Sequence, residues 1–176
     1  MSSTLPDYPP DYYIVIPARM AAQRFPGKPL AKLAGLSLLQ HVYRCATASA
    51  AKHIVIATDD DSIARHAQSF GADVLMTSAN HQSGSDRIAE VVTALQWPDE
   101  TIVVNLQGDE PLMPAACLNQ VAALLESDPS AAMASLYWPV ANALEAQDPN
   151  VVKVVIAQAG NALYFSRSLV PFPRDW

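Results

Sequence analysis

An α/β fold, with a mostly parallel sheet and helices on both faces, is predicted by three features of the sequence. Short runs rich in Val and Ile alternate with helix-period segments, the order expected of parallel strands joined by crossover helices. Residues 101–106 form the most strand-like stretch, broken only by Asn105, and such continuous apolarity fits a central strand covered on both faces. Hydrophobic residues make up 51% of the chain and charged residues only 16%, a balance that requires deep burial.

The elements follow in order. Residues 1–11, with Pro6, Pro9 and Pro10, are expected to form a loose tail, leaving residues 12–176 as one domain. Residues 12–16 read as the first strand, and a loop rich in Pro and Gly runs on to about Gly35. A helix starts near Ser37, with Leu38, Val42, Cys45 and Ala46 at helical spacing. Residues 53–58 are the second strand. Asp60 or Asp61 then caps a helix that Gly71 ends. Residues 72–76 make the third strand, and Ser85 or Asp86 opens a helix with Ile88, Val91, Val92 and Leu95 on one face. After the strand at 101–106, Pro114 begins a helix that runs to about Glu126. Residues 131–138 and 151–156 read as further strands, and the turn at Gly160 and Asn161 leads into another at 162–166.

Charge excludes some partners and suggests another. With eleven basic and seventeen acidic residues the net charge is -6, which argues against nonspecific nucleic-acid binding and against docking on anionic membranes. Yet no Asp or Glu occurs between Asp11 and Asp59, where six of the eleven Lys and Arg lie. That segment is either an anion site or a solvated cationic face. Cys45 and Cys117 offer neither metal-ligand spacing nor a disulfide framework, as expected of thiols in a reducing compartment. The amino terminus lacks a secretory pattern, and no apolar run approaches the ~18 residues of a membrane span. The protein is therefore expected to be soluble and cytoplasmic.

In open α/β sheets ligands bind beyond the carboxyl ends of the strands, and three segments converge on that edge. The loop at 17–30, PARMAAQRFPGKPL, follows neither the dinucleotide-binding nor the Walker pattern. It carries Arg19, Arg24 and Lys28, whose cations suit phosphate oxygens, and Gly27, which lets backbone amides approach an anion. The segment NLQGDEP at 105–111 places Asp109 just past the strongest strand. That acid is either a Mg²⁺ ligand acting with substrate phosphates or a turn residue before Pro111. The segment at 77–90, TSANHQSGSDRIAE, supplies a helix start for an anion or a base edge, with Gln82 and Ser83 as hydrogen-bonding readers. His81 there is either a catalytic base or a polar structural residue.

Together, PARMAAQRFPGKPL, NHQSGSDRIAEV, VNLQGDEP and ALYFSR, in this order, closely resemble the 3-deoxy-manno-octulosonate (Kdo) cytidylyltransferases. The resemblance implies a Rossmann-like fold of the nucleotide-diphospho-sugar transferase type. It also implies coupling of CTP to Kdo, with pyrophosphate release, for lipopolysaccharide biosynthesis. Carried over by position, Arg19, Arg24 and Lys28 would bind the triphosphate, with Arg19, Lys28 and Asp109 as the catalytic set. Thr77, Gln82 and Ser83 would lie around the cytidine, Gln107 and Arg167 near the sugar acid, and Asp109 on Mg²⁺. A homodimer is implied as well. A sialic-acid-type or other sugar nucleotidyltransferase, or an inactive nucleotide-binding homologue, is the alternative. This chain has Ala22 and Gln23 where the family usually carries Ser-Thr, Phe25 in place of Leu, and Asn80 in place of Asp. Members of the family continue beyond the position of Trp176, so the domain is expected to be incomplete at its carboxyl end.

Overall fold

A computed structural model describes residues 9–20, 27–172 and 174 of the chain. Two compact units divide it, residues 1–134 and residues 135–176. The first holds a four-stranded parallel sheet, in the spatial order Asp73–Met76, His53–Thr58, Tyr12–Ala18, Ile102–Asn105. Its strands are β1 (Tyr12–Ala18), β4 (His53–Thr58), β5 (Asp73–Met76) and β6 (Ile102–Asn105). Strand β1 pairs with β4 from Tyr13↔His53 to Ala18↔Thr58, and with β6 from Tyr12↔Ile102 to Val15↔Asn105.

Alternation along β1 divides the core into two layers. Tyr12, Ile14, Ile16 and Ala18 face α1 (Leu38–Thr47), α2 (Asp61–Ser69) and α4 (Ala115–Ser127), packing with Leu39, Val42, Ile63, Ala67, Leu118 and Ala122. Val15 faces the other way, with Val55, Ala57 and Val91, under α3 (Gly84–Ala94). Helices therefore cover both faces, as predicted. Asp60 caps α2, accepting from the amides of Ser62 and Ile63. Between β1 and α1 lie a 3₁₀ turn at Lys28–Leu30 and a small hairpin, β2 (Lys32–Leu33) with β3 (Leu36–Ser37).

Two expectations are corrected. The strand at 101–106 lies at an edge of the sheet rather than in its centre. Its apolarity reflects coverage of its faces: Ile102 and Val104 join one core layer and Val103 the other. Residues 131–138 form no strand. An extended segment gains its ladder only from a neighbour, and these residues pair with none among those described; Met133, Tyr137 and Trp138 are largely exposed.

The second unit contains α5 (Ala143–Gln147) and an antiparallel pair, β7 (Lys153–Ile156) with β8 (Ala162–Ser166). Lys153 is buried there, its ammonium donating to the carbonyls of Asp148 at 2.9 Å and Arg167 at 2.6 Å. No helix among the described residues is long and apolar enough to cross a membrane.

Candidate active site

Strands β1 and β6 run side by side, so the loops that leave them start together at one edge of the sheet. The Leu106 amide still donates to the Val15 carbonyl, at 3.1 Å, before the chain turns away. Gly108 then passes close under the end of β1. A Cβ at that position would stand 2.8 Å from the Pro17 carbonyl oxygen. Only a residue without a side chain allows this approach, and it sets Asp109 beside the first loop. From the other side Gly27, with φ 75°, makes a left-handed turn into the 3₁₀ helix and delivers Lys28.

The result is a hollow of 270 Å³ lined by Arg19, Lys28, Gly84, Gln107, Gly108 and Asp109, among others. Lys28 Nζ donates to Asp109 Oδ2 at 2.7 Å. The two side chains are 37% and 52% exposed, so the pair contributes only about 0–1 kcal/mol to folding. It is better understood as a cation and an anion held within reach of a ligand. Gln107 donates from Nε2 to Asn105 Oδ1 at 2.9 Å, which orients its amide at the rim.

The start of α3 adds Gly84 to the lining, and the loop between β5 and α3 that leads to it has a buried root. Arg87, fully buried, donates from Nη2 to Asp59 Oδ2 at 2.9 Å and from Nη1 to the Thr77 hydroxyl. The Thr77 hydroxyl in turn donates to the Thr58 carbonyl at 3.1 Å. The ends of β4, β5 and α3 are thus tied at one point. At the far end of the loop, Ser83 caps α3 in a reciprocal box with Asp86. The Ser83 hydroxyl beside it holds the Asp86 carboxyl below its ordinary range. Between these anchors His81 bonds Glu90 through Nε2, its carbonyl accepts from Arg19 Nη1 at 3.1 Å, and Gln82 is exposed.

Of the residues singled out from sequence, Arg19, Lys28, Gln107 and Asp109 come together around the hollow. Arg24 lies outside the described residues. Thr77 is buried with its hydroxyl engaged, and the Ser83 hydroxyl serves the cap. In the second unit, Arg167 donates from Nη1 to the Pro149 carbonyl at 2.8 Å. Asp59, Arg87 and Glu90 went unnoticed in the sequence as supports of this edge. The available signal was helical geometry: Cα–Cβ bonds tilt toward the amino terminus, so Arg87 and Glu90 lean back over the loop preceding α3.

A single half-exposed carboxylate on the wall suits a hard cation that arrives with phosphates, because Mg²⁺ takes one or two carboxylates and fills the rest with substrate and water. No group of three or more His, Cys, Asp or Glu able to hold a metal ion occurs among the described residues.

The family described as Cytidylyltransferase matches residues 13–176. A 3-deoxy-manno-octulosonate cytidylyltransferase of Cellvibrio japonicus is 52% identical over 164 residues, covering 93% of this chain and 64% of that protein. One from Thioalkalivibrio sulfidiphilus is 54% identical over 164 residues, covering 93% and 66%. The chain therefore spans slightly less than two thirds of the length of these relatives. A solved structure of CMP:2-keto-3-deoxy-manno-octonic acid synthetase complexed with CTP aligns with a TM-score of 0.83 at 37% identity, covering 94% of this chain and 68% of that one.

Proposed function

This chain belongs to the cytidylyltransferase family, and on that premise we propose that it transfers CMP from CTP to 3-deoxy-manno-octulosonate, releasing pyrophosphate. The observation that carries the proposal is the meeting of Arg19, Lys28, Gln107 and Asp109 at one hollow on the carboxyl edge of the sheet. The names and CTP content of the similar proteins supply the nucleotide and the sugar acid.

In this reading Arg19 and Lys28 hold the β- and γ-phosphates, Arg24 adds a third cation, and the loop of Thr77, Gln82 and Ser83 surrounds the cytidine. Gln107 approaches the sugar acid. In the second unit, Arg167 is the proposed contact for that acid. The anomeric hydroxyl attacks the α-phosphorus in line, a new P–O bond forms, and the bond to the pyrophosphate oxygen breaks. Cations fixed in advance around the leaving group stabilise its developing charge, so most of the catalysis is positioning and electrostatics. Asp109 would hold Mg²⁺, which when bound neutralises phosphate charge. Lys28 then turns from its partner carboxylate to the phosphates.

A cytoplasmic setting and a role in lipopolysaccharide biosynthesis are part of the proposal, supported by the same resemblance. A homodimer is part of the proposal, supported by the second unit, where Tyr137, Trp138, Leu163, Tyr164, Phe165 and Phe172 are each at least 58% exposed. Sedimentation velocity tests it: a monomer at all concentrations rejects the dimer. The activity is tested by following pyrophosphate release with CTP, Mg²⁺ and Kdo. Release matched by CMP-Kdo supports the assignment. Turnover with sialic acid but not Kdo overturns the substrate.

A further inference from the structure

Glu90 lies outside the lining of the hollow, yet one of its oxygens organises the loop beside it. Oε2 accepts from the Ser78 amide at 2.9 Å and also bonds Nε2 of His81. Both side chains are largely covered, with 20% exposure for His81 and 35% for Glu90. The next link is through the main chain, where the His81 carbonyl accepts from Arg19 Nη1 at 3.1 Å. Arg19 itself lines the hollow. A continuous chain of contacts therefore runs from α3 to a cation on the ligand side.

Helix capping does not require this arrangement. Ser83 and Asp86 already complete the reciprocal cap of α3, and the neighbouring Arg87 is committed to Asp59 and Thr77. Oε2 of Glu90 thus serves the loop rather than the helix cap. A guanidinium is a rigid planar fork of five donors. Anchoring Nη1 on a carbonyl whose own residue is fixed by its ring sets the plane of that fork and aims the remaining donors. We propose that the His81–Glu90 pair is a positioning device for Arg19, raising the affinity of the hollow for a phosphate chain without touching it. The proposal rests on the assignment of Arg19 as a phosphate grip and adds what holds that grip in place. The Glu90 carboxyl lies below its ordinary range, chiefly through its hydrogen bond with His81.

The test is a set of calorimetric titrations with CTP and with inorganic tripolyphosphate, at fixed Mg²⁺. His81→Phe should weaken both ligands about tenfold in the native background, the scale of one oriented charged hydrogen bond. It should cause no further loss in an Arg19→Met background, because an indirect effect disappears with its intermediary. His81→Gln, which keeps an N–H donor, should restore affinity to within about twofold of the native value. A merely structural histidine would give the same loss in both backgrounds, and that result overturns the proposal, as does an unchanged affinity in His81→Phe. If His81→Phe does not fold, Glu90→Gln in the two backgrounds decides the question by the same criterion. Native protein that binds neither ligand removes the phosphate assignment and this inference with it; native binding with an unaffected His81→Phe removes the inference alone.

Discussion

Adding one methyl group to Gly108 should do more damage than its size suggests. The new Cβ would sit 2.8 Å from the Pro17 carbonyl oxygen and 3.6 Å from the Ala18 Cβ, against 3.4 Å or more for an ordinary contact. Relief therefore needs the end of β1 and the loop after β6 to separate by about 0.6 Å. Neither side yields easily, since the obstacle is backbone and β1 is held by both β4 and β6. Overpacking of this kind costs about 1–3 kcal/mol, which lowers the unfolding midpoint by about 2–12 °C. The separation also moves Asp109 away from Lys28, across the hollow in which CTP is proposed to bind. Gly84→Ala is the matched control, because its Cβ would meet only Pro17 Cγ at 3.5 Å and Gln107 Nε2 at 3.7 Å, both ordinary contacts. Its effect on stability should stay within about 1 kcal/mol, helped by the helix preference of alanine. Differential scanning calorimetry and CTP titration on both variants give the answer. If Gly108→Ala melts and binds CTP like Gly84→Ala, the close approach does not shape the site and the reasoning fails.

Further predictions concern the supports of the site and its charges. Arg87→Met leaves Asp59 without its partner at the buried root of the β5–α3 loop, and should cost about 3–5 kcal/mol in chemical denaturation; a loss under 1 kcal/mol would mean that the network is dispensable. Asp60, Asp86 and Glu90 all have carboxyl pKa values held below the ordinary range, chiefly by Ser62, Ser83 and His81 respectively. Depressed folded-state values give stability that is present above the unfolded carboxyl range and lost as pH falls through the folded values. Stability should therefore be level from neutral pH to about 5 and decline below about 4.5, with a shallower acid limb in Asp60→Asn. A decline that begins above pH 6 would point to histidines instead.

Much of this architecture was readable from the order of residues. Each strand of the parallel sheet announced itself as a short apolar run, and Asp60 and Gly71 marked the bounds of α2, because these signals are local. Arg19, Lys28 and Asp109 were found for a related reason: an α/β sheet gathers the loops at its carboxyl edge, so cations after β1 and an acid after β6 need only that topology to meet, whereas Gln107 came from the family resemblance alone. What escaped depended on partners distant in sequence. The edge position of β6 is a matter of strand order, which apolarity alone does not encode. The apolar residues 131–138 resembled a strand but lack a neighbour to pair with. The structural duties of the Thr77 and Ser83 hydroxyls, engaged by Arg87 and Asp86, depend on the folded chain in the same way. Glu90 drew no attention because its partners, His81 and Ser78, are nine and twelve residues away along the chain.

The claim on which the account depends is that the cations at this edge grip the phosphates of a nucleotide. Parallel equilibrium titrations of native protein and Lys28→Met with CTP and with cytidine test it directly. Loss of one phosphate-contacting cation should raise the Kd for CTP about tenfold and leave that for cytidine unchanged. Equal CTP affinity in the two proteins, or an equal loss for CTP and cytidine, would contradict it.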